Sequence, residues 1–124
     1  MERNRSTKSA NDFFTGFTGT SKLYQYNFGF QLTDGTLKVA EETQSFWFLD
    51  VVCSYKFDEK QRMKGVYCQK WKLIRQGDSD KFEVQGLNDN KKVVITQTIE
   101  YSDFPFDEYE VLVMDDIILL PSEN

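Results

Sequence analysis

The chain has 124 residues, a size that fits one domain with a single core. Its formal net charge is −5 and it contains no histidine. That balance argues against broad binding to nucleic acid or to anionic membrane. Without histidine the Ser-His-Asp and Cys-His arrangements are excluded, and the commonest general base is missing.

Residues 1–11, MERNRSTKSAN, are polar and without period, and predict a flexible N-terminal arm. They lack the apolar stretch of a signal peptide, and no later run approaches a membrane span. A single α+β domain is expected over 12–124. Phe13, Phe14 and Phe17 can anchor its start to the core, with Gly16 and Gly19 as breakers.

KLYQYNFGFQL (22–32) alternates weakly and predicts a first strand, with Leu23 and Phe30 inward. A helix follows from TDGTLKVAEETQ, capped by Thr33 or Asp34, with Lys38, Glu41 and Glu42 on its wet face. SFWFLDVVCSYKF (45–57) is apolar nearly all round. Its length favours a buried helix, with Ser45 as cap and Phe46, Leu49, Val52, Cys53 and Phe57 on one face. GVYCQKWKLIR, KFEVQGL and VVITQTIEY alternate with period two and are separated by short polar turns. They predict an antiparallel meander with Val93, Ile95, Gln97 and Ile99 on one face. Pro105 interrupts the next stretch. EVLVM-DD-IILLP then reads as a hairpin with Asp115 and Asp116 at its tip. The expected fold is an antiparallel sheet of about five or six strands with two helices packed on one face.

Charge is unevenly placed. Residues 100–124 hold eight acids and no base, whereas all 15 Lys and Arg residues precede them. Two readings of this end stay open. Phe104 and Phe106 with Asp103, Asp107, Glu108, Asp115 and Asp116 can form an anionic and apolar surface that docks on a basic groove. Alternatively, the two rings cap the core and the acids are merely wet. Residues 56–75 carry Lys56, Lys60, Arg62, Lys64, Lys70, Lys72 and Arg75 against Asp58 and Glu59. They can contact RNA phosphate, with Tyr67 or Trp71 for stacking, or complement the acidic end of the same molecule. Asp50, inside FWFLDVV, needs a partner wherever it is desolvated. Cys53 and Cys68 lack metal-ligand spacing and read as reduced thiols. No phosphate-binding loop is present. The carboxylates Asp34, Asp50, Asp103 and Asp107 show no spacing that selects a catalytic pair or an Mg²⁺ site. A non-enzymatic protein without cofactor is therefore expected.

Six stretches in order, FTGT (17–20), LTDG (32–35), FWFLDVVCSY (46–55), QKWKL (69–73), IEYSDFPF (99–106) and ILLPSEN (118–124), carry a resemblance. They resemble a family of small proteins of unknown function, found in phages and other mobile elements of Bacteroidetes-like bacteria. The turn MDDI departs from the Asp-Gly type of that family, which bears on turn geometry alone. The family has no assigned activity, so no site residue is carried over. The resemblance implies a mobile-element protein acting in the cytoplasm of a bacterial host. Through one functional member it further implies an anti-CRISPR, an inhibitor of a type VI RNA-guided RNase that interferes with guide or target RNA. The alternative is a small nucleic-acid-binding module using the basic segment 56–75.

Overall fold

The computed structural model describes residues 9–124. Seven strands form one sheet, β1 (Tyr24–Gln25), β2 (Gln31–Leu32), β3 (Gln69–Arg75), β4 (Phe82–Leu87), β5 (Val93–Ile99), β6 (Glu108–Met114) and β7 (Ile117–Leu119). Their spatial order is β1-β2-β7-β6-β3-β4-β5. All neighbours are antiparallel except β2 and β7, which run parallel, so the sheet is mixed. Three α-helices accompany it among the described residues, α1 (Ala10–Phe13), α2 (Asp34–Thr43) and α3 (Phe46–Ser54).

The expected five or six strands and two helices become seven and three for local reasons. The predicted first strand breaks at Asn27–Gly29 into two short pieces that pair as a hairpin. The extra helix α1 begins inside the expected arm. Residues 1–8 of that arm lie outside the described residues. Ser9 caps α1 through Asp12 N–H and bridges to Glu108, and Ala10 is fully buried. The Asn11 side chain acts as one more rung of the sheet. Its Nδ2 donates to Glu110 O at 2.9 Å and its Oδ1 accepts from Glu110 N at 2.8 Å. It occupies the side of β6 that β7 leaves open, since β7 pairs only with Leu112, Val113 and Met114.

The meander follows the alternation. Trp71 and Leu73 on β3, Phe82 and Val84 on β4, Ile95 on β5, and Tyr109, Val111 and Val113 on β6 are buried on one face. Val93 departs from it. Between Gly86 and Leu87 the register shifts so that Leu87 pairs with Val93, leaving Val94 as an extra residue, and Val93 is exposed. Phe48 of α3 meets the ring of Tyr109 at 5.5 Å, and Tyr55 just beyond α3 meets Trp71 at 5.3 Å. The Tyr55 hydroxyl donates to Gln97 Oε1 at 2.7 Å, tying the helix end to β5. The opposite face carries Lys70, Lys72, Glu83, Gln85 and Glu110, all half-buried.

Trp71 lies over Gly86, its cross-strand partner. A Cβ at Gly86 would stand 2.8 Å from Trp71 Cζ3 and 3.0 Å from Met63 Cε. Gly86→Ala is therefore expected to destabilise the fold by about 1–3 kcal/mol through overpacking, read as a lowered thermal midpoint.

α2 is capped as expected, with Thr33 Oγ1 accepting from Thr36 N. A second cap comes from the far end of the chain. Glu123 accepts from Gly35 N at 3.0 Å, from Thr33 Oγ1 at 2.6 Å and from Leu120 N at 2.9 Å. A carboxylate there satisfies free N–H groups and faces the positive end of the helix.

Candidate functional site

The acidic residues of 100–124 are largely spoken for inside the molecule. Asp107 pairs with Arg75 at 2.9 Å, Asp116 with Lys56 at 3.2 Å and Glu110 with Lys70 at 3.6 Å. Glu123 caps α2, and Glu100 lies 3.9 Å from Lys81 in an exposed contact worth little. The complementary reading of acidic end and basic segment holds at these pairs.

Phe104 and Phe106 are buried, which removes them from any docking surface on this fold. Phe104 packs against Phe82, Phe106 and Tyr109 at ring distances of 5.9–6.0 Å, because the Pro105 interruption folds the loop back over the sheet end. Asp103 and Glu108 stay exposed at that end. Asp115 and Asp116 sit at the other end of β6, about 20 Å away at the usual rise per residue. The two acidic points do not share an edge. Both aspartates adopt positive φ, 51° and 62°, the geometry of a tight hairpin turn.

Asp50 is exposed rather than desolvated, and its role is structural. It accepts from Tyr26 Oη at 2.6 Å and from Asn27 Nδ2 at 3.0 Å, which fastens the β1–β2 hairpin to α3. Burial, and then this bond to Asp50, push the Tyr26 phenol well above its ordinary range. Asp34 accepts from Ser21 N and Oγ and from Tyr24 Oη, all at 2.9 Å, which keep its carboxyl below the usual range. Cys53 and Cys68 are free thiols, and burial pushes Cys53 up to about 12. No group of three or more Cys, Asp or Glu among the described residues is arranged to hold a metal ion.

The basic residues divide. Lys70 and Lys72 lie half-buried on the face of the sheet opposite Trp71 and Leu73. Arg62 forks onto Asp58, with Nε to Oδ2 at 3.0 Å and Nη2 to Oδ1 at 2.9 Å, and holds that carboxyl well below its usual range. Lys60 and Lys64 are exposed in the same loop. Arg75 is buried.

What converges is the end of the sheet around the Asp115–Asp116 turn. Lys56 Nζ donates to Phe28 O at 2.9 Å and to Asp116 Oδ2 at 3.2 Å, and stands 5.2 Å from the Phe30 ring centre. Gln31 N donates to Asp116 O at 2.9 Å. One lysine thus holds together the β1–β2 turn, the end of α3 and the β6–β7 turn. Phe28 has φ 58° and ψ 30°, a left-handed conformation that costs an aromatic residue roughly 1–3 kcal/mol. The result is a ring 54% exposed that meets Phe57, itself 64% exposed, edge to face at 5.2 Å. Phe57 was expected inward. The α-helix ends at Ser54, and the tighter 3-10 turn Tyr55–Phe57 rotates it away from that face. Two grooves flank this end. One is lined by Tyr55, Phe57, Met63 and Lys64, the other by Val66, Tyr67, Val113, Asp115 and Asp116.

Phe28 and Phe57 are the residues that sequence reasoning missed here, whereas Tyr67 is one of its stacking candidates. The signal for Phe28 lies in its neighbours, since Asn27 and Gly29 are turn formers and project the residue between them. Tyr67 is 67% exposed. Its loop is anchored by Asp89, whose carboxylate accepts from Tyr67 N at 2.9 Å and Cys68 N at 2.8 Å. Those two backbone bonds, Cys68 first, hold Asp89 below the usual carboxylate range. A folded-state value below the unfolded one contributes anchoring above the ordinary value near 4, lost as pH falls through the lowered one. Asp89→Asn, which cannot accept both bonds equally, is expected to speed amide exchange at Tyr67 and Cys68 several-fold at neutral pH. Unchanged exchange would show the loop to be held by other contacts.

No helix of the described residues is long and apolar enough to cross a membrane. No curated protein and no solved structure matches the chain. One family model does, over residues 8–124, nearly the whole sequence. The chain therefore belongs to DUF6876, a family of unknown function.

Proposed function

We propose that this chain is a non-enzymatic protein-binding inhibitor that docks through the aromatic end of its sheet. The observation that carries the reading is the exposed Phe28–Phe57 pair. A left-handed backbone, a lysine bridge and the Asp50 clamp keep Phe28 in place at the surface. Exposed rings, preordered and flanked by grooves, are the anchor type that dominates protein interfaces. Exposed Asp115, next in the chain to the Asp116 that Lys56 binds, supplies negative charge suited to the basic channel of a nucleic-acid enzyme.

The resemblance names such an enzyme, a type VI RNA-guided RNase of a bacterial host cell. On this reading the chain is an anti-CRISPR of a phage or mobile element, and it blocks guide or target RNA. The test is RNA cleavage by that effector with increasing inhibitor, together with a pull-down with and without guide RNA. Cleavage is expected to fall with saturable dose. Full cleavage at saturating protein would refute the inhibitor reading.

A second reading, an RNA-binding module using 56–75, draws support from Tyr67, exposed three residues after Lys64. Against it, Lys56, Arg62, Lys70 and Arg75 are already paired with carboxylates. A salt-sensitive gel shift of RNA by the protein alone would favour it.

A further inference from the structure

The sheet has one long edge. β5 is its last strand and among the described residues pairs only with β4. Its seven residues, VVITQTI, contain no charge, no proline and no glycine. Natural edges are usually shortened, charged or broken to prevent pairing. Here the bulge at Val94 lies at the start of the strand and leaves Ile95–Ile99 regular.

The ladder fixes which backbone groups face out. Gln76 N donates to Lys81 O, in line with the β3–β4 register. Alternation then turns the backbone groups of Glu83 and Gln85 toward β3, and those of Phe82, Val84 and Gly86 toward β5. Their partners Ile99, Gln97 and Ile95 are thereby used. The N–H and C=O of Thr96 and Thr98 point to the open side.

We propose that this edge pairs with the β5 edge of a second copy of the chain, antiparallel, about a two-fold axis at Thr96. Each Thr96 then exchanges both backbone hydrogen bonds with its counterpart. The charges bracketing the strand decide the occupant. Lys91 and Lys92 precede it and Glu100 follows it, all exposed. In an antiparallel pair the lysines of one copy lie against Glu100 of the other, and symmetry repeats the contact. Opposite charges across a strand pair stabilise it, whereas a parallel or shifted copy loses them. In this register exposed Val93 of one copy lies opposite Ile99 of the other. Thr–Thr contacts on the polar face suit the same arrangement. The dimer leaves the aromatic end of the sheet free, so this inference stands apart from the inhibitor reading.

The test is sedimentation of the full chain over a wide concentration range, at low and high salt. Wild type is expected to dimerise with rising concentration, less at high salt. The double variant Lys91→Glu with Lys92→Glu is expected to raise the dissociation constant at least about tenfold. Adding Glu100→Lys to it should restore dimers. These positions are exposed, and circular dichroism checks that each variant is folded. A wild type monomeric throughout overturns the proposal. So does a dimer indifferent to these charges, and one dispersed by Phe57→Ala would lie at the aromatic end instead.

Discussion

Replacing Arg75 with alanine is expected to cost about 3–5 kcal/mol of folding stability, a large part of what a domain of this size has. Its side chain is only 3% exposed, yet every donor is used. Nε donates to Asp107 Oδ1 at 2.9 Å, and Nη1 to Ser79 O at 2.8 Å and Asp80 Oδ1 at 3.4 Å. Nη2 donates to Phe104 O at 2.7 Å and Phe106 O at 3.2 Å. The guanidinium also lies 4.6 Å from the centre of the Phe82 ring. The loop through Pro105 has no strand partner, so Arg75 supplies the donors that a ladder would have supplied. Alanine leaves buried carbonyls and a carboxylate without this partner. Lysine should recover little, because an ammonium on a thin stem cannot fork across this set of acceptors. The measurement is the thermal midpoint, expected to fall by about 10–20 °C in the alanine variant. A loss under about 1 kcal/mol would mean that the loop is held by its aromatic packing alone.

Arg75 also shows where sequence reasoning stopped. Counted by charge, it joins the basic run of 56–75. Counted by alternation, it falls on the same face as Trp71 and Leu73, which is where it lies. The period-two pattern was the better guide because each meander strand is wet on one face and buried on the other. That asymmetry leaves its mark on every second residue. The same logic made the Asp115–Asp116 turn and the Thr33 cap legible, since both rest on neighbours in the chain. The parallel pairing of β2 with β7 left no such mark. It joins Gln31 and Leu32 to Ile117 and Ile118, two residues on each side and far apart in sequence. The aromatic end was hidden for a related reason. The turn formers Asn27 and Gly29 project Phe28, and a 3-10 turn rotates Phe57 outward, but no local pattern encodes the meeting of these loops at Lys56. The acidic stretch misled because charge in sequence does not tell which acids are already paired.

On the proposed inhibitor reading, Phe57→Ala and Phe28→Gly are each expected to weaken binding to the effector by about 2 kcal/mol or more, roughly 30-fold, with little loss of stability. The separation of the two effects is the argument. Phe57 is mostly exposed, so its removal takes little from the core. Phe28 adopts φ 58°, which glycine accepts without strain, and this offsets the extra freedom glycine gives the unfolded chain. Folding stability should therefore stay within about 1 kcal/mol of wild type. Charge reversal separates the two ends of β6. Asp115→Lys, at the turn whose Asp116 binds Lys56, is expected to slow association most at low salt. Asp103→Lys and Glu108→Lys, about 20 Å away along the strand, should leave it nearly unchanged. Titration calorimetry and stopped-flow association measure both. If the far-end reversals abolish binding while Phe57→Ala does not, the docking surface is the 103–108 end and the aromatic pair has no part in it. If Phe57→Ala unfolds the protein, Phe28→Gly still decides the question, because its backbone favours the substitution.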